Sequence, residues 1–87
     1  MAEPKMEEVG RVGGFFSHLS VAIVELTGTL NVGEMIYIKG HTTDAQQRVE
    51  SIQIDRTPVQ EGHAGQSVGL KVTARCRKHD VVYKLTL

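Results

Sequence analysis

Apolar residues along the chain fall in short runs that alternate with polar ones at every second position, and no stretch keeps the 3.6-residue repeat of a helix. The pattern predicts an all-β chain of six or seven strands. The clearest run is 67–77, with Val68, Leu70, Val72, Ala74 and Cys76 on the inward side and Lys71, Thr73, Arg75 and Arg77 on the outward side. Residues 9–16 form a first strand in which Gly13 and Gly14 imply a bulge or a close backbone approach. Residues 21–26 are apolar on both faces except at Glu25, as suits a strand buried inside and partly covered outside. A third strand spans 35–39, and a long one spans 46–55. In the latter Val49 has the opposite parity to Ile52 and Ile54, so a bulge is predicted near Glu50. Pro58 ends that strand, residues 59–65 form a loop, and a final strand follows the Lys78-His79-Asp80 turn. With no helix to cover them, such strands bury their apolar faces best by closing into a small barrel.

Length fixes the domain plan: 87 residues suit one barrel over 9–87, behind a polar, mobile tail at 1–8 that carries Pro4. Ten basic residues balance ten acidic ones, which excludes a bulk nucleic-acid binder and leaves only local contacts. The lone Cys76 has no disulfide partner, which fits a reducing cytoplasm. No apolar run is long enough to span a bilayer, and no glycine-rich turn ends in Lys followed by Ser or Thr, so neither membrane insertion nor GTP binding is expected.

The order of motifs then resembles a known family. Val24-Glu25-Leu26, Gly28-Thr29-Leu30, Val32-Gly33-Glu34, Val49-Glu50-Ser51-Ile52-Gln53, residues 64–70 and Asp80-Val81-Val82 follow one another as in the second domain of the translational GTPases. That domain is the elongation factor Tu-like β-barrel. The likeness extends to stand-alone elongation-factor-like proteins and to the barrel appended to collagenase-like peptidases. It implies a six- to seven-stranded antiparallel Greek-key barrel. It also implies a family pocket at Gln53, Asp55, Glu61, His63 and Gln66. There His63 stands in place of an Arg, and Gln53 and Asp55 in place of an acid and an aromatic. Those departures remove a fixed charge and a stacking surface from the contacts that receive the acceptor end of aminoacyl-tRNA.

Candidate chemistry is sparse. His18, His41, His63 and His79 fall in predicted turns without paired metal-ligand spacing, and the serines have no defensible His and Asp partners, so no catalytic, cofactor or metal site is assigned. Cys76, on an inward face, is read as packing rather than as a nucleophile. Residues 1–34 carry three more acidic than basic side chains, so the excess of basic charge lies in the remainder. Lys71, Arg75 and Arg77 share one predicted strand face, with Lys78 and Lys84 across the turn, as a candidate phosphate-facing patch. Of the adjacent Phe15 and Phe16, one must point out of the core.

The resulting expectation is a non-enzymatic cytoplasmic module that contacts RNA or a translation-related protein. The alternative is a protein-interaction subunit docking onto an enzyme such as a collagenase-like peptidase. A Cys76-based enzyme stands third.

Overall fold

A computed structural model describes residues 5–86. Ten strands follow in chain order: β1 (Lys5–Phe16), β2 (Val21–Leu26), β3 (Leu30–Asn31), β4 (Met35–Lys39), β5 (Asp44–Arg48), β6 (Ile52–Ile54), β7 (Thr57–Val59), β8 (Glu61–Gly62), β9 (Ser67–Lys71) and β10 (Val81–Thr86). All pairings are antiparallel, and the described residues include no helix. No helix long and apolar enough to cross a membrane is present among them. Eight strands form one sheet in the order β5-β4-β10-β1-β2-β9-β6-β7, and β3 pairs with β8.

The expected closed barrel is corrected to an open sheet that curls. Its edges, β5 and β7, share no backbone ladder. The break comes at Val49, whose N–H donates to the Glu34 carbonyl and whose own carbonyl accepts from Gly33 N–H, turning the chain back toward the 31–34 turn. The predicted long strand 46–55 is therefore two strands, and the parity conflict at Glu50 is resolved by leaving one partner, β4, for another, β9. The side chain of Gln47, buried on β5, bridges the seam. Its Nε2 donates to the Lys71 carbonyl at 2.9 Å, and its Oε1 accepts the Thr73 N–H at 2.8 Å.

Inside the curl lie Val9, Val12, Val24, Leu26, Leu30, Ile36, Ile38, Ile52, Leu70 and Val82, with Cys76 among them. β1 is long enough to pair on both sides because it bulges twice, between Glu8 and Gly10 against β10 and between Val12 and Gly14 against β2. Gly10 is required at the first bulge, where a Cβ would lie 2.6 Å from Val24 Cγ1 and 2.9 Å from the Glu25 carbonyl. Gly33 (φ 96°) and Gly65 (φ 91°) supply the left-handed positions that turn the chain around β3 and β8. β1 begins at Lys5, so residues 5–8 of the expected tail are paired with β10, while residues 1–4 lie outside the described residues. Pro58 does not end the sheet. It sits in edge strand β7 opposite Gln53, where a residue without an N–H is tolerated.

Candidate functional site

The predicted run 67–77 keeps its burial rhythm beyond β9, with Val72 and Cys76 inside, but its ladder stops at Lys71. The reason is the partner: β2 begins at Val21, opposite Lys71, and the residues before Val21 turn away through Ser17–Ser20. Arg75, Arg77 and Lys78 consequently lie on an irregular segment and do not share a strand face with Lys71. Lys71 Nζ donates to the Leu19 carbonyl at 3.0 Å. The Arg77 N–H donates to Asp80 Oδ2 at 2.8 Å, which pins the following turn.

Lys84, on β10, is a structural tie. Only 15% of its side chain is exposed, its Nζ donates to the Thr29 carbonyl at 3.0 Å, and carboxylate oxygens of Glu7 and Glu34 stand 3.7 and 3.9 Å away. Lys84→Ala is expected to cost about 1–2 kcal/mol, read as a lower urea midpoint at unchanged m-value.

The family-pocket positions divide between two places. Glu61, His63 and Gln66 form one turn, where Gln66 Oε1 accepts the His63 N–H at 2.7 Å and Glu61 lies 3.7 Å from His63 Nε2. Gln53 and Asp55 instead line a groove on the outer face of β2, β9 and β6, together with Phe16, Leu19, Val21 and Ile23. The groove measures about 470 Å³. Phe16 and Leu19 are 55% and 61% exposed, whereas Phe15 packs against the core. Asp55 and Arg56 hold φ of 50° and 66°, a turn strained for residues with a Cβ, at the rim of this groove. The two-sided apolar run 21–26 and the Phe pair signalled this surface in the sequence. Leu19 did not, because an isolated apolar residue in a polar turn carries no periodicity.

Cys76 is 2% exposed, and burial, with the Asp80 charge second, pushes its thiol up to about 11. A thiol so held is protonated at neutral pH. Among the described residues no three His, Cys, Asp or Glu side chains converge as metal ligands would.

No protein-family model matches the chain. It is 39% identical over 79 residues to an uncharacterized protease of Methanocaldococcus jannaschii, which covers 90% of this chain and 19% of that protein. It is 35% identical over 78 residues to a collagenase of Porphyromonas gingivalis, covering 87% of this chain and 22% of the collagenase. The chain thus spans about a fifth of the length of the curated relatives it matches. Among solved structures, the C-terminal domain of a candidate U32 peptidase of Geobacillus thermoleovorans superposes with a TM-score of 0.84 at 21% identity, covering 90% of this chain and 91% of that one. Its selenomethionine variant gives 0.83 at 20% identity, covering 87% and 96%. These likenesses overturn the resemblance to an elongation factor Tu-like protein, and with it the expected RNA or translation-related partner: the sequence likeness runs to proteins named protease and collagenase, and the fold is that of a peptidase C-terminal domain.

Proposed function

We propose that the chain is a non-catalytic interaction domain of a collagenase-type peptidase, working in the cytoplasm and docking onto the remainder of that enzyme through the Phe16 and Leu19 groove. The observation that carries this reading is the extent of the sequence likeness, which takes in 90% of this chain yet only 19% of a protease. Four fifths of such a protein lie outside the matched unit, and that portion is the occupant the groove would take. The groove suits it, because two large apolar side chains beside a strained polar turn form the kind of desolvating anchor that partner surfaces bury. The lone buried cysteine agrees with a reducing compartment.

Under this reading the chain by itself leaves gelatin and fluorogenic oligopeptides intact. The check is a hydrolysis assay on protein taken through two unrelated columns. Turnover that co-elutes with the chain in both would contradict a non-catalytic role.

A further inference from the structure

On the other side of the Ser17–Ser20 turn from the apolar groove lies a second pocket, of about 310 Å³, at the small end of the range that holds small ligands. Phe15 gives it an apolar part, with Val72 buried behind; Ser17 and Ser20 bring two hydroxyls, Thr73 a third that already donates to Gln47 Oε1 at 3.3 Å, and Arg75 is the one cationic residue of the lining. Three features set this pocket apart from ordinary surface relief. Arg75 makes no ion pair among the described residues. Ser20 is held at φ 53°, a left-handed conformation that is strained in a residue with a Cβ, while its carbonyl accepts the Val72 N–H at 2.8 Å. The irregular segment that carries Thr73 is tied to the seam by Gln47, so the rim is fixed in place on both sides.

From this geometry we infer that the pocket binds the C-terminal carboxylate of a peptide whose last side chain is apolar. A guanidinium offers paired donors that match the two oxygens of a carboxylate, and the Ser17 and Ser20 hydroxyls supply further donors, the Thr73 hydroxyl being engaged with Gln47. The lining brings one cation, so it balances a single negative charge; a doubly charged phosphate would be left half-neutralised. Phe15, part-exposed at the pocket, receives the apolar side chain next to the carboxylate. The choice of a peptide as the source of that carboxylate rests on the peptidase reading above, whereas the anion chemistry rests on the pocket alone. A domain of this kind would hold a substrate end or a cleaved product near the enzyme that made it.

The test is an amide-resolved NMR titration of the purified chain with N-acetyl-Ala-Ala-Leu, the same peptide as its C-terminal amide, acetate and inorganic phosphate. The free-acid peptide is expected to shift the amides of Ser17, Ser20, Thr73 and Arg75 with millimolar affinity, and the amide to bind at least tenfold more weakly. Arg75→Gln, a change at an exposed side chain, should lower the affinity for the acid at least tenfold with an unchanged melting temperature. Ser20→Gly should keep the carboxylate preference but weaken it a fewfold, since it removes one hydroxyl and relieves the strain. Equal binding of acid and amide, equal binding to Arg75→Gln, or phosphate or acetate binding as tightly as the peptide would overturn the proposal. The titration needs no peptidase, so a bound peptide without peptidase association would remove the domain reading and leave the pocket.

Discussion

Replacing Gln47 with Leu is expected to lower the stability of the fold substantially. The substitution leaves the Lys71 carbonyl and the Thr73 N–H, now satisfied by one amide at 2.9 and 2.8 Å, without partners at the seam. Each group deprived of its partner costs about 1–3 kcal/mol, and a loss of that size shifts the melting temperature of a domain this small by roughly 4–8 °C per kcal/mol. A fall of 10 °C or more in a thermal melt is the expected result, together with faster amide exchange in residues 72–80, which the bridge holds to the sheet. A fall of under 3 °C would mean that the edges of the sheet are held by packing alone and that Gln47 is incidental.

Burial of Cys76 should cost the fold stability at alkaline pH. In the folded chain the thiol titrates near 11, above the 9.0 of an unburied cysteine, so between those values the unfolded state has released a proton that the folded state still keeps. Stability therefore falls as pH rises through that window, by about 2–3 kcal/mol in total, and it is unaffected below the lower value. Cys76→Ala removes the titration. Urea unfolding at pH 8 and pH 10.5 should show the natural chain losing stability relative to the variant over that interval. The same burial predicts that a thiol reagent labels Cys76 only as fast as the chain unfolds. Rapid labelling of the native protein would return the cysteine to consideration as a nucleophile.

Local signals were legible wherever an element is defined by its own residues. Val21–Leu26 and Met35–Lys39 follow directly from short apolar runs between turns, and Gly33 takes the positive φ that its turn demands. What the sequence could not show depends on distant partners. The ladder of β9 ends at Lys71 because β2 starts at Val21, a fact absent from the smooth alternation of 67–77, and so the basic residues thought to share one face were dispersed. No sequence signal marks Gln47, because only the curl of the sheet brings Thr73 to it. Function was misjudged for a related reason. Glycine turns at fixed spacings report the geometry that a small curled sheet requires, so motifs of this kind carry the fold and leave the partner open. The residues that departed from the translation-factor pocket, Gln53, Asp55 and His63, already pointed away from tRNA.

The most direct test of the central claim is affinity purification of the tagged chain from its own cells, with and without ribonuclease. It is run beside a Phe16→Ser, Leu19→Ser variant whose fold is verified by its melting curve. Both side chains are more than half exposed, so the variant should fold normally. The account predicts that mass spectrometry identifies a collagenase-type peptidase with the natural chain, that ribonuclease leaves it in place, and that the variant recovers at least tenfold less. A peptidase held equally by both proteins, no peptidase at all, or a set of translation components lost on ribonuclease treatment would contradict it.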